Sequence, residues 1–492
     1  MKNKSVFFYL IVSALFLGMI SPNWLSDGMF MDGVLYATIS RNLAENLGSF
    51  WDLHLTDTLS PHFHGHPPFA FGLQSLFFRL LGDNLITERL YSLLTFLITA
   101  IIIRGIWKQL VGQQYSNMSW LPILLWVSVP VVTWAAPNNM LENTMMVFTS
   151  LSVYFVIKSE INNRFLYLFL AGFSLFLAFL TKGFVGLFPI SILFWILIFK
   201  KTNVLKFFSG LTILVSALLI PLFFMYLFIP EGIDSLIAYI NLQVVGSIEN
   251  SVTVDNRWFI LTKLLNELLP IGIIAVVIFI STRKIKVERL PGKWVLIFLA
   301  LGLSGVLPVM ISLKQSGFYI LGTFPIFSIA FGLLLAPRLN VLLIRISPNN
   351  KILKYSSICL FSISIILNVL NFNRIGRDEG KISDVYAMIE EIPKNTVVSI
   401  QPNLRKDWTL HASFGRYANI SLDKKTPAVN EYLISNVDSE IILNPDYEKI
   451  NIKLSLYRLY KKTGDISLEK KTIVSGLIPA ESSLTVDGSS EK

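Results

Sequence analysis

Five ionisable side chains stand at the ends of long apolar runs, where charge is otherwise scarce: Asp32, His66, Glu142, Lys182 and Lys314. Asp32 opens Asp32-Gly33-Val34-Leu35-Tyr36-Ala37, and His66 opens His66-Pro67-Pro68. Glu142 leads Glu142-Asn143-Thr144, Lys182 sits in Thr181-Lys182-Gly183, and Lys314 precedes Tyr319. A carboxylate in such a set can take a proton from an attacking hydroxyl. Cations beside it can hold a phosphate and stabilise the charge it keeps on leaving. Each residue alone has a plainer reading: Asp32 and Glu142 could cap helices, and Lys182 and Lys314 could snorkel to lipid headgroups. That reading does not account for their gathering on the side where basic residues are rare. Ionisable groups held at a membrane are functional candidates by default.

The segment His62-Phe63-His64-Gly65-His66 holds three of the five histidines. Alternate imidazoles in an extended segment could bind zinc, but no cysteine or acid at suitable spacing completes a site. His66 therefore reads better as a donor to a phosphate or sugar oxygen.

The elements that must position these groups follow from composition. Of 492 residues, 53% are hydrophobic and only 15% charged, with 37 Phe. A globular chain carries about a quarter charged residues, so too little polar surface remains for a water-facing shell. A soluble enzyme, a disordered protein and a disulfide scaffold are excluded; this is a multi-pass membrane protein. The single cysteine, Cys359, allows no intrachain disulfide. The net charge of +10 is spread over many short loops, which reads as membrane orientation and not as a nucleic-acid-binding face.

At about 20 apolar residues per crossing, eleven spans are expected near 5–22, 89–107, 119–136, 143–158, 164–181, 184–199, 204–229, 258–281, 294–312, 317–337 and 352–371. Ser21-Pro22-Asn23-Trp24 is not a small-residue cleavage site, so the first span reads as an uncleaved anchor. With the N-terminus inside, Lys and Arg favour the inner loops about threefold. The outer loops hold only Arg41, Arg79, Lys182, Arg257 and Lys314, with Arg89 at a boundary. An odd count puts the C-terminus outside.

Residues 1–375 thus form the membrane domain. Its first outer loop, 23–88, carries two four-residue periodicities, Leu35, Ile39, Leu43, Leu47 and Phe69, Leu73, Phe77, Leu81. Both predict short amphipathic helices lying along the outer membrane surface. A second outer loop, 230–257, contains Glu231, Asp234, Glu249 and Asp255. Residues 376–482 read as a small extracytoplasmic α/β domain, with a helix over 382–392 and strands over 396–400, 432–437, 440–443 and 450–460. Residues 483–492 read as a loose tail.

The first outer loop, with an acid before a Tyr-Ala helix, then Arg41-Asn42, then a basic-Pro-Pro element, resembles the membrane glycosyltransferases of the GT-C fold. It looks most like the branch holding protein O-mannosyltransferases and lipid A aminoarabinose transferases. Further matches are Arg89-Leu90, Leu180-Thr181-Lys182-Gly183, and Lys314 through Tyr319 to Pro325, in the family's order over roughly residues 1–340. The family often has Asp-Glu where Asp32-Gly33 stands, Lys-Pro-Pro where His66-Pro67-Pro68 stands, and Asp in place of Glu142.

The resemblance implies a sugar donor carried on a polyprenyl phosphate. It implies transfer to a lipid, glycan or protein hydroxyl on the outer face of the cytoplasmic membrane, with inversion. Asp32 would be the general base, and Lys182, Lys314, Arg257 and His66 would bind the donor phosphate. Glu142, Asn143, Tyr36 and Tyr319 would meet sugar or acceptor hydroxyls. No metal cofactor is required, although Glu142 could help hold a divalent ion. The rivals are a secondary transporter, which would place its ionisable residues near the bilayer midplane on repeated broken helices, and a non-catalytic polyprenyl-lipid-binding envelope protein. The span interiors are almost uncharged except for Lys263 and Glu267.

Overall fold

The computed structural model describes residues 2–249, 252–285, 292–347, 350–425, 428–438 and 446–463. The membrane domain begins with α1 (Lys2–Trp24), the two outer-loop helices α2 (Met31–Ala44) and α3 (Phe69–Leu81), α4 (Leu85–Leu110) and a turn, α5 (Gln113–Ser116). It continues through α6 (Trp120–Val127), α7 (Pro130–Ala135), α8 (Leu141–Ser159), α9 (Arg164–Lys182), α10 (Ile192–Lys200) and α11 (Val204–Phe228). The rest are α12 (Pro230–Tyr239), α13 (Gly246–Glu249), α14 (Phe259–Ser281), α15 (Gly292–Val306), α16 (Phe324–Ile344) and α17 (Lys351–Leu370).

Among the described residues, eight helices are long and apolar enough to cross a membrane, or nine if the bent pair α6–α7 is one span. The eleven expected spans divide the same chain differently, at two places. Helix α8 carries Glu142 and Asn143 and several hydroxyls, which lower its apolarity. The 37-residue stretch Arg164–Lys200 scores as one span. Ion pairs mark the ends of both. Glu160 faces Arg164 (3.3 Å), Lys200 (3.5 Å) and Lys206 (3.2 Å) at one end. Glu142 faces Lys182 (2.5 Å) at the other. The chain therefore runs from one end to the other along α8, back along α9, and over again through residues 183–200. Gly183, at φ +73°, makes that turn, and Gly186 lies back against the Ala178 carbonyl.

Helices α6 and α7 meet at 80°, because Pro130 opens α7 without an N–H to continue the ladder. The next N–H, of Val131, donates to Glu267 Oε2 at 2.7 Å. Helix α3 presents Leu76, Leu80 and Leu81 outward; of the expected stripe only Leu81 is on that exposed face, and Phe69, Leu73 and Phe77 are half-buried. Helix α2 differs. Its stripe residues Ile39 and Leu43 pack in a protein cluster with Leu53, Leu55, Phe71 and Leu141, while Leu47 falls beyond its end and is exposed.

The cover over α2 comes from the C-terminal domain. That domain holds α18 (Glu379–Glu391), α19 (Trp408–Ala418) and strands β1 (Val397–Ile400), β2 (Ser421–Asp423), β3 (Tyr432–Asn436), β4 (Tyr447–Lys449) and β5 (Tyr457–Lys462). The sheet order is β2-β1-β3-β5-β4, parallel across β2-β1-β3 and antiparallel beyond. The segment 450–460, expected as one strand, is instead mostly the connection from β4 to β5. The expected strand 440–443 and the tail 483–492 lie outside the described residues.

Helix α19 sits on α2 through buried polar groups. Arg41 donates to the carbonyls of Arg416 (2.9 Å) and Gly415 (3.0 Å) at the end of α19. Gly415 packs so close to Thr38 and Thr56 that a Cβ there would lie 3.3–3.4 Å from their methyls. Arg416 forks onto Glu88 (3.1 and 3.2 Å) and reaches Asp83 at 2.6 Å. Glu88 is fully buried, so Arg416→Met leaves its carboxylate without a cation, a loss of about 3–5 kcal/mol. The expected result is a lower unfolding midpoint in detergent and faster proteolysis of the C-terminal domain. An unchanged midpoint would show that the pair does not hold the domains together.

Candidate active site

Asp32 lies in the first turn of α2, but it does not cap that helix: α2 has no side-chain N-cap, and the Asp32 carboxyl accepts no hydrogen bond among the described residues. Several contacts pin this turn to the connection before α8. Phe30 N–H donates to Asn138 Oδ1 at 2.7 Å, and Asn139 Nδ2 donates to the Gly33 carbonyl at 3.2 Å. Gly33 is required here, since a Cβ would stand 2.0 Å from the Asn138 carbonyl oxygen. Arg89 tightens the same corner by donating to the carbonyls of Asn23, Ser26, Gly28 and Pro137. Because α8 starts at once beyond Asn139, Glu142 arrives beside Asp32.

Glu142 is completely buried and pairs with Lys182 Nζ at 2.5 Å. Its Oε2 has no hydrogen-bond partner among the described residues. Lys182 ends α9, where the helix dipole favours a cation, and its Nζ lies 5.8 Å from the ring centres of both Phe318 and Tyr319. Gly183 follows with Tyr239 against it, and the Tyr239 hydroxyl donates to the Lys182 carbonyl at 3.3 Å. Lys314 reaches Gln243 Oε1 at 3.2 Å.

The charges of these groups act on one another. Burial pushes the Asp32 carboxyl up to about 6; Lys182 and Lys314 pull it down and Glu142 pushes it further up. Lys314 is held below the usual lysine range by burial, with Asp32 opposing and Lys182 reinforcing the shift. His66 Nε2 meets the Tyr36 hydroxyl at 3.2 Å. Burial first, then Lys182 and Lys314, hold His66 well below its ordinary value, so the ring is neutral. Its Nδ1 is buried with no hydrogen-bond partner among the described residues. Burial, then Asp32 and Glu142, keep the Tyr36 hydroxyl protonated.

Asp32, Tyr36, His66, Glu142, Lys182, Lys314 and Tyr319 therefore form one cluster in which the charges act on one another. Two expected members stand apart from it. Asn143 braces α8 instead, donating to Ser92 Oγ (3.0 Å) and the Ala135 carbonyl (2.9 Å). Arg257 is exposed, and among the described residues its backbone carbonyl accepts from Gln315 Nε2. The histidine segment also differs from expectation, because an acid does reach it. Asp52 accepts from His62 Nδ1 at 2.8 Å and lies 3.7 Å from His64 Nε2. It was missed because the partner lies ten residues upstream, across a loop. Among the described residues no group of three or more His, Cys, Asp or Glu side chains is placed to hold a metal.

The sequence reading missed Phe318 and Gln243, which touch the two lysines. It also missed a cavity of about 980 Å³ lined by Met31, the chain neighbour of Asp32, by Phe318, and by Lys406, Asp407 and Trp408 of the C-terminal domain.

A sequence profile of the dolichyl-phosphate-mannose-protein mannosyltransferases matches residues 65–228. A search of curated proteins finds no match. The structure resembles that of ArnT from Cupriavidus metallidurans bound to undecaprenyl phosphate, with TM-score 0.64 at 13% identity, covering 92% of this chain and 97% of that one. The apo form of the same protein gives 0.62 at 14% identity, with the same coverage. A weaker likeness, 0.48 at 10% identity over 87% of this chain and 69% of the other, is to the oligosaccharyltransferase AglB from Archaeoglobus fulgidus. The chain has the GT-C fold, over nearly its whole length.

Proposed function

We propose that this chain is an integral-membrane glycosyltransferase that moves a sugar from a polyprenyl-phosphate carrier to an acceptor hydroxyl. Transfer takes place at the outer face of the cytoplasmic membrane, with the N-terminus inside and the C-terminal domain outside. The observation that carries the reading is the carboxyl of Asp32, which accepts no hydrogen bond among the described residues and feels the charges of Lys182, Glu142 and Lys314. The GT-C fold supports it, as does the profile match, and ArnT of the same fold is seen with undecaprenyl phosphate bound.

The roles follow from the chemistry of the side chains. Lys182 and Lys314 hold the donor phosphate, and neutral His66 can donate to it from Nδ1. The acceptor oxygen attacks the anomeric carbon while its proton passes to Asp32. The bond from that carbon to the phosphate oxygen breaks, and polyprenyl phosphate leaves with its charge held by the lysines. A single displacement inverts the anomeric configuration. Glu142, Tyr36 and Tyr319 face the sugar or acceptor hydroxyls.

Mass spectrometry of envelope lipids and glycoproteins, with and without this gene, tests the reading. Loss of the gene is expected to remove one fixed sugar mass from an envelope component and to raise the level of the polyprenyl-linked sugar. Unchanged profiles would overturn it. So would labelled sugar that accumulates in vesicles without covalent transfer.

A further inference from the structure

The far ends of α8 and α9, away from Glu142 and Lys182, carry a charge cluster that the transfer reaction does not use. Between Asn143 and Pro230 the chain has a single acid, Glu160. The helix ends around it hold five cations: Lys158, Arg164, Lys200, Lys201 and Lys206. Three of them, each from a different helix, converge on the one carboxylate. Arg164 (3.3 Å) and Lys206 (3.2 Å) both meet Oε1, and Lys200 (3.5 Å) meets Oε2.

These cations are held in place. Arg164 also donates to the Lys206 carbonyl at 2.6 Å and lies against Gly210, where a Cβ would collide with its guanidinium. Lys200 Nζ packs over the Trp294 ring at 4.6 Å, and Lys158 over Tyr167 at 4.6 Å. Lys201, at φ +53°, turns the chain from α10 toward α11, a left-handed conformation uncommon for a residue with a side chain.

A basic helix end is what membrane orientation asks for, but orientation needs only the number of cations. Like charges left to themselves spread apart. Here one carboxylate offsets one of three. Arg164 opens α9 and Lys206 lies in the first turn of α11, where the helix dipole disfavours a cation, and neither first turn holds an acid. A fixed positive surplus remains. Beside it, on the same two first turns, Phe165, Leu205 and Phe208 are exposed.

We propose that this cluster binds the phosphate of an anionic phospholipid, whose acyl chains lie along Phe165, Leu205 and Phe208. A free anion has no use for that apolar face, whereas an amphiphile matches both parts. Arg164, Lys200 and Lys206 hold the phosphate by charge-assisted hydrogen bonds, and the bound lipid ties the ends of α8, α9, α10 and α11 together. The site stands apart from the transferase reading, and its test involves no transfer.

The full chain, stripped of lipid in detergent, is titrated with dioleoyl phosphatidylglycerol or dioleoyl phosphatidylcholine, and bound lipid is read by native mass spectrometry. Phosphatidylglycerol is expected to bind at about tenfold lower concentration. Lys200→Gln with Lys206→Gln is expected to abolish that preference. Lys351→Gln with Lys354→Gln makes the same charge change at the start of α17, where both lysines are exposed, and is expected to keep it. Equal binding of the two lipids by the wild type overturns the proposal. An equal loss in the two double variants does so too, since it shows only the general pull of a basic surface.

Glu160→Gln separates a ligand site from an ion cluster that merely joins helices. The variant leaves the cations without a counterion, so its unfolding midpoint should drop. Phosphatidylglycerol is expected to restore that midpoint and phosphatidylcholine is not, because the lipid phosphate supplies the missing negative charge. A midpoint that stays low in both lipids overturns the proposal. Restoration by inorganic phosphate alone to the same extent also overturns it, since the cluster then takes a free anion and the apolar face plays no part.

Discussion

Asp32→Asn is expected to slow transfer by about 10²–10⁴-fold, the range a positioned general base contributes, while the protein stays folded in detergent. The fold should tolerate the change because the Asp32 carboxyl makes no hydrogen bond that an amide would lose. It also removes a charge that burial disfavours. The loss belongs in kcat and not in the donor KM, since deleting a negative charge beside the phosphate site does not weaken a phosphate. The pH profile gives a second signature. A base works only when deprotonated, so with the carboxyl at about 6 the wild-type rate is level above that pH and falls about tenfold per unit below it. The Asn variant should have no such limb from this group. Near-normal turnover, or an acid limb kept in the variant, would falsify the assignment.

Asp32, His66, Glu142, Lys182 and Lys314 stand out in the sequence because they are ionisable residues at the ends of apolar runs, where each is conspicuous alone. What brings them together does not. Gly33, Asn138 and Asn139 look like ordinary turn residues until the Asn138 carbonyl is found against the Gly33 Cα. Arg41 and Arg89 were noticed as parts of a motif. Their work is to satisfy backbone carbonyls, which carry no side-chain signature. Helix α2 shows the limit of periodicity. Its apolar stripe suits a lipid surface or a protein cover equally, and only the packing of Ile39 and Leu43 against Leu53, Leu55, Phe71 and Leu141 decides. Strands β2 and β4, at three residues each, are too short for alternation to register. Lys263 and Glu267 were visible as exceptions to an uncharged interior. Their meaning depends on Val131, which lies far away in the chain in the first turn of α7.

The fully buried Glu142 and the lysine that neutralises it make the second large prediction. Lys182→Met strands the Glu142 carboxylate, at a cost of about 3–5 kcal/mol in stability. It also deprives the donor phosphate of a cation, and the apparent donor affinity is expected to fall about 10- to 100-fold. The two effects separate when the acid is neutralised too. Lys182→Met with Glu142→Gln leaves no unpaired charge, so the unfolding midpoint should recover while donor affinity stays low.

The pH profile reports the same pair from the side of Asp32. Lys182 is the largest charge lowering the Asp32 carboxyl, and Glu142 is the charge that raises it. Removing the lysine alone should therefore move the acid limb to higher pH, and Glu142→Gln alone should move it to lower pH. The double variant should fall between the two. If Lys182→Met loses stability but leaves both donor affinity and the limb in place, the lysine is a structural counterion for Glu142, and the phosphate must be held elsewhere.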